Sequence, residues 1–304
     1  MKKVVIIVGV LLALWWLEWK IQNISPKKPV IAVLQIASHA ALDASREAFV
    51  REVQTKLDNA YTIVVKNADG SIANAQAIAQ SLVSRDDVIA YYAIGTPALQ
   101  ALVQKEQKRP IFYAAVTYPE KLGLVADNVA GASDYFDLHD LVEYAHTLMP
   151  VANRVGILYN PGTEIAQYEL SVLEAACKKH GLSPVRIAGV TEGDIITALK
   201  SNLRKIDLCV APTDNMIASV LSSLTAYCAQ ENIPVVAAWQ TALQDGATAA
   251  CGMDYAQLGR AVGSAAVDVL AGKKTPADFG VIRMHAQGIV NEMMVKKMIQ
   301  KDLS

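Results

Sequence analysis

Four short segments of this chain place small polar residues where an apolar run gives way to a helix. They are Ser38-His39, Gly95-Thr96-Pro97, Thr163-Glu164 and Thr213-Asp214-Asn215. At such a junction the first backbone N–H groups of the helix lack intrahelical partners, and these donors attract anions. Thr96 as N-cap and Pro97 as first helical residue also satisfy ordinary capping, and the two readings are compatible. Asp214 carries the same double reading. An acid in a first turn answers the helix dipole, and an acid facing a cleft is the natural partner of an ammonium group. His39 reads as a contact or capping residue, because no Ser, Cys or acid stands at a spacing that makes a triad legible. Trp239 follows directly on an apolar run, and Tyr118 and Tyr135 lie near similar junctions. Each offers a flat face for stacking, or simply packs between two bodies. Asp254, just before Tyr255, fits either a hinge or a cleft wall.

Other chemistries are missing from the sequence. There is no GxGxxG after an apolar run, no P-loop, no HExxH and no GxSxG, so neither nucleotide binding nor the common hydrolase sites are legible. The four cysteines, Cys177, Cys209, Cys228 and Cys251, form no CxxC and match no metal spacing. They read as buried free thiols, with a disulfide as the alternative if the chain is exported. No cofactor, no metal and no catalytic residue is expected.

The elements that position these residues occur twice. Residues 88–103 (VIAYYAIGTPALQALV) and 207–222 (DLCVAPTDNMIASVLS) share one pattern, a strand breaking at small residues into a helix. Each is followed by a further apolar strand, Pro110 to Ala114 and Pro234 to Ala237. Around them, strands are expected at 30–36, 61–66, 88–94 and 111–116, with helices at 40–57, 73–84 and 97–106. The second half repeats the order: helices 138–148, 164–180, 192–202 and 214–230, strands 154–159, 184–189, 207–211, 234–237 and 247–251. A helix over 256–270, a strand near 281–290 and a helix over 291–300 close the chain. Continuous apolar strands alternating with helices indicate parallel sheets covered on both faces. The expectation is α/β: two Rossmann-like lobes, residues 30–131 plus 255–285 and residues 132–254, with 286–304 as a crossing segment and helix. Residues 128–134 and 252–255 carry the chain between lobes. Ligands of open α/β sheets bind beyond the carboxyl ends of the strands. That rule selects the loops at 37–40, 95–97, 117–119, 160–165, 212–215 and 238–241.

The 304 residues suit two such lobes, and a formal net charge of −1 gives no reason to expect nucleic acid, whose phosphates need clustered Lys and Arg. Lys2-Lys3 precede an apolar run from Val4 to Leu17, with Trp15, Trp16 and Trp19 near its end and no small-x-small cleavage site. Residues 1–24 read as an export signal retained as a hydrophobic anchor helix, with a cleaved signal as the alternative, and 25–29 as a tether. The body is then expected outside the cytoplasm, in the periplasm or on the outer face of the cytoplasmic membrane.

The chain resembles the substrate-binding proteins of ABC importers, of the tryptophan/tyrosine type. The segments that carry the likeness are HAALDASREAF (39–49), NADGSIANAQAIAQ (67–80), AIGTPALQA (93–101), PIFYAAVTYP (110–119), VGILYNPG (155–162), PTDNMIAS (212–219) and MDYAQLGR (253–260). The resemblance implies a type 1 periplasmic-binding-protein fold, with a three-segment hinge and closure around one small solute. It implies an amino acid or similar amphipathic solute, a membrane permease as partner, and a monomer. In that frame the ligand carboxylate meets Thr96 and Thr117, the amine meets Asp214, and a ring stacks near Trp239 or Tyr118. A membrane-anchored sensory receptor of the same fold is the alternative. Three stretches depart from the family pattern. Tyr118 replaces an acid, Thr163-Glu164 replaces Asn-Ser, and Trp239-Gln240-Thr241 stands in a loop that is often acidic.

Overall fold

The computed structural model describes residues 15–16, 28–162 and 164–293. The first lobe grows from β1 (Val30–Gln35), every residue of which is buried. A strand covered on both faces needs apolar side chains on both, which is why its sequence runs rather than alternates. It is followed by α1 (Ala40–Lys56), β2 (Thr62–Asn67), α2 (Ile72–Val83), β3 (Val88–Ile94), α3 (Thr96–Val103), β4 (Ile111–Ala114) and β5 (Val129–Ala132). The second lobe holds α4 (Leu138–Leu148), β6 (Arg154–Tyr159), α5 (Glu164–Lys179), β7 (Ser183–Ala188), α6 (Glu192–Asn202) and β8 (Leu208–Ala211). It continues through α7 (Asn215–Ser219), α8 (Leu221–Gln230), β9 (Val235–Trp239) and β10 (Ala249–Met253). The chain then passes through α9 (Tyr255–Leu270), β11 (Val281–Ile282) and β12 (Gln287–Val290).

These strands make two six-stranded sheets, ordered β11-β5-β4-β3-β1-β2 and β12-β10-β9-β8-β6-β7. The first is parallel throughout. The second is parallel except for β12, which runs antiparallel to β10. The chain changes sheet three times: after β5, between β10 and β11, and between β11 and β12. These crossings join two α/β lobes.

Helix α9 follows the second sheet in sequence and packs on α1 of the first lobe. Glycines make the approach possible: a Cβ on Gly259 would lie 2.1 Å from the Ser45 carbonyl oxygen, and one on Gly263 would lie 2.9 Å from Glu52 Cβ. Behind that contact Phe49 stacks on Tyr92 at 3.9 Å between ring centroids, and the Tyr92 hydroxyl is hydrogen-bonded to Ser45 Oγ at 2.8 Å.

Several expectations are corrected. Residues 129–132, read as part of a crossing, form the buried strand β5, and the crossing starts after it. The strand expected near 281–290 is two strands in different sheets. The helix expected over 214–230 breaks at Val220. There Ser219 Oγ donates to the Met216 carbonyl at 2.7 Å, a local bond that competes with helix continuation. The four cysteines are buried free thiols. The signal or anchor over 1–24 lies outside the described residues except for Trp15 and Trp16, as does the terminal helix beyond Met293. Among the described residues no helix is long and apolar enough to cross a membrane.

Candidate functional site between the lobes

The carboxyl ends of both sheets face one cleft, where α1 packs on Gln240–Leu243 and side chains meet across it at two further places. At the first, His39 Nε2 lies 3.2 Å from Asn215 Oδ1. His39 is the N-cap residue of α1 yet makes no side-chain cap, so its ring is turned to the other lobe. Burial lowers its pKa, against smaller opposing effects of Asn215 and Asp43. Its Nδ1 is buried without a hydrogen-bond partner. Gly95 stands beside this contact with φ +93°, a conformation that favours glycine. A Cβ there would lie 2.5 Å from Ile36 Cγ2 and 3.9 Å from Asn215 Nδ2.

At the second place the contacts are aromatic. Tyr118, from the loop after β4, meets Tyr168 of α5 edge-on at 6.1 Å, and Tyr135 at 5.3 Å. Lys121 Nζ sits 4.1 Å from the Tyr168 ring centroid, a cation–π contact between lobes. Tyr135 and Tyr168 remain 43% and 47% exposed.

Three carboxyls lie behind these rings. Asp134, in the crossing after β5, is 3% exposed, and its Oδ2 accepts from the Tyr255 hydroxyl at 2.7 Å. The Thr117 side chain and the residue's own backbone N–H also donate to this carboxylate. Glu169, on α5, is 5% exposed. Asp214 caps α7, accepting from the N–H groups of Met216 and Ile217 at 2.9 and 3.0 Å, both through Oδ1. Burial raises the pKa of Asp134 and of Asp214. Glu169 is pushed up to about 8, by burial first and then by the charges of Asp134 and Asp214, with the Tyr118 phenol opposing. A cavity of about 40 Å³ adjoins Glu169 and Asp214, lined also by Tyr159, Asn160 and Thr213 among others. A larger open groove of about 730 Å³ lies on the outer face of the first lobe beside α1 and β2 and holds none of these residues.

The cleft brings together His39, Gly95 and Asn215 at one contact and Tyr118 and Tyr135 at the other, with Asp214 beside Glu169 behind the rings. Thr96 is the first helical residue of α3, with Gly95 in the cap position and Pro97 second, one place later than the sequence reading had them. The Thr117 carbonyl accepts from Ser133 Oγ at 2.9 Å, which ties that loop to the crossing. Ser38 is spent locally, its hydroxyl donating to Asp43 Oδ2 at 2.8 Å. Asp254 caps α9 through Ala256 N–H at 2.9 Å and Gln257 N–H at 3.3 Å, a structural duty at the crossing. Trp239 requires correction. It ends β9 rather than opening a loop, and at 2% exposure it packs in the core. Thr163 lies outside the described residues, and Glu164 opens α5. Sequence reasoning missed Asp134, Glu169, Tyr168 and Lys121. Among the described residues no three His, Cys, Asp or Glu converge to hold a metal.

Two lobes, three crossings and a polar cleft between strand ends define the periplasmic-binding-protein class, and the comparisons name the branch. The family described as ABC transporter substrate binding protein matches residues 30–301, and this chain belongs to it. A relative in Clostridioides difficile (strain R20291), a tyrosine-binding protein, is 32% identical over 292 residues, covering 92% of this chain and 84% of its own. The structure of an ABC domain in complex with L-Trp, from Streptococcus pneumonia, matches with TM-score 0.81 at 25% identity over 90% of this chain and 95% of that one. The ligand-free, open structure of a substrate-binding protein with adhesive properties from Clostridium difficile matches with TM-score 0.66 at 30% identity, over 89% and 94%.

Proposed function

We propose that this protein is the extracytoplasmic solute receptor of an ABC importer. It closes its lobes on a small amino acid, aromatic by first preference, and presents it to a membrane permease. The moving bodies are residues 30–131 with 255–285 and residues 132–254, and the receptor acts as a monomer held at the membrane by residues 1–24. Closure is a population shift: a ligand that touches both lobes only in the closed form pulls the equilibrium towards it.

The observation that carries this reading is the composition of the cleft. Buried carboxyls beside a rank of tyrosines suit a solute with an ammonium group and a ring. The amine is assigned to the acid group around Asp214, whose Oδ2 is left out of the helix cap. The ring is assigned to Tyr118 and Tyr135, and the carboxylate to Thr96, Thr117 and the start of α3. The similarity figures support a closed arrangement. The complex with L-Trp superposes better than the ligand-free open structure although its sequence is the more distant.

The test is a thermal-shift and calorimetry screen of the full chain with L-tyrosine, L-tryptophan, L-phenylalanine and L-alanine. Mass action stabilises the bound form by about 2.7 kcal/mol at a hundredfold excess over Kd. The expected result is a raised melting temperature with an aromatic amino acid. A flat response to all four would overturn the reading.

A further inference from the structure

We propose that Glu169 sets the ligand specificity of this cleft by proton exchange: with Asp134 and Asp214 it holds a proton that the ligand's ammonium group displaces to solvent. This rests on the amino-acid reading above and adds the residue, the charge balance and the excluded ligand class.

The site carries an imbalance of charge. Three carboxyls on three separate elements share one desolvated region, and among the described residues none forms an ion pair with Lys, Arg or His. Lys121, the cation nearest the tyrosines, lies over the rings of Tyr168 and Tyr118. The other titratable groups acting on Glu169 are Asp134 from the crossing and Asp214 from the start of α7, both acids, with Tyr118 from the loop after β4. Tyr255 of α9 adds a phenol that donates to Asp134. Burial and then the neighbouring charges of Asp134 and Asp214 push the Glu169 carboxyl up to about 8, so it keeps its proton at neutral pH. Glu169 is the member pushed up by both neighbours.

Two further observations point to a ligand rather than a structural acid cluster. Glu169 is 5% exposed, forms no ion pair among the described residues and lines a cavity together with Asp214, so a donor arriving there meets a buried carboxyl. The cavity of about 40 Å³ against Glu169 and Asp214 has room for a group the size of one water, which is also the size of a primary ammonium head. A bound ammonium brings one positive charge and three N–H donors. As it enters, the carboxylic acid loses its proton to buffer, and the net charge of the site is unchanged. A ligand whose nitrogen is acylated brings neither the charge nor the three donors.

The experiment is isothermal titration of the full chain with L-tyrosine, L-tryptophan and their N-acetyl derivatives, at pH 7 in phosphate, Hepes and Tris. These buffers differ in ionisation enthalpy, so the observed heat reports protons released. The expected slope for the amino acid that binds is about one proton released per ligand. Glu169→Gln, close in shape to the protonated acid, is expected to bring the slope near zero. The N-acetyl derivative is expected to bind at least about tenfold more weakly than its parent. An enthalpy independent of buffer in the wild type, or equal affinity for the acetylated ligand, overturns the proton exchange and leaves the receptor reading standing. No binding of either amino acid in any buffer overturns both. The wild-type buffer series decides the matter even if Glu169→Gln fails to fold.

Discussion

His39 and Glu169 pull the pH dependence of the empty receptor in opposite directions. His39 is held neutral by burial, so its pKa falls below the ordinary 6.5. Its contribution to stability is present above that value and is lost as pH falls through the lowered one. Glu169 behaves inversely: its carboxyl titrates near 8 when folded against an ordinary 4.5. Between those values the folded protein binds more protons than the unfolded chain, so stability falls as pH rises from 4.5 through about 8. Asp134 and Asp214 are shifted the same way. Without ligand, the melting temperature is therefore expected to drop from pH 6.5 to 8.5, and Glu169→Gln is expected to flatten the drop. An unchanged slope in the variant would remove Glu169 as its source. Asp214 was legible in sequence because Thr-Asp-Asn after a buried strand is local punctuation. Glu169 was not, since in Gln167-Tyr168-Glu169-Leu170 an acid reads as the wet face of a helix. Only the tertiary placement of α5 against the crossing segment buries it. Trp239 failed for a related reason: in a strand covered on both faces even the last residue is core.

The elements themselves were readable wherever apolar runs were long. The strands that escaped were short and built from small residues. β5 is Val129-Ala130-Gly131-Ala132, a composition with little strand propensity of its own. Its Gly131 is there for contact: a Cβ would lie 2.2 Å from the Tyr113 carbonyl oxygen on neighbouring β4. The α1–α9 pair has the same logic and decides which lobe the late helix joins. Gly259→Ala would drive a methyl into the Ser45 backbone, which cannot retreat without separating the helices. Overpacking of this kind costs about 1–3 kcal/mol. The expected outcome is a urea midpoint lowered by that free energy divided by an unchanged m-value. A midpoint equal to wild type would mean the two helices are not in backbone contact.

For the whole molecule, what matters is how firmly the lobes hold each other without help. Among the described residues three side-chain contacts across the cleft stand out. A cation–π pair at an exposed site contributes about 0.5–1 kcal/mol, an edge-on aromatic pair about 0.5–1.5, and a neutral hydrogen bond about 0.5–1.5. Here these are Lys121 on Tyr168, Tyr118 on Tyr168, and His39 with Asn215. Together they favour closure by a few kcal/mol at most, before the acids behind them are counted. Buried carboxyls without a cation oppose closure, more so as pH rises. If the receptor works by the closure proposed above, such a balance would leave the empty form free to open and let the free energy of one bound solute decide the state. Removing the aromatic latch with Lys121→Ala and Tyr168→Ala takes away about 1–2.5 kcal/mol of lobe–lobe contact, moving the open–closed ratio about 5- to 70-fold towards open. X-ray scattering should then show a larger radius of gyration for the ligand-free double variant than for the wild type. Saturating L-tyrosine or L-tryptophan should bring the two together, because ligand contacts replace those removed. Equal radii without ligand would mean that the latch is ornament and that the crossings alone fix the angle between the lobes.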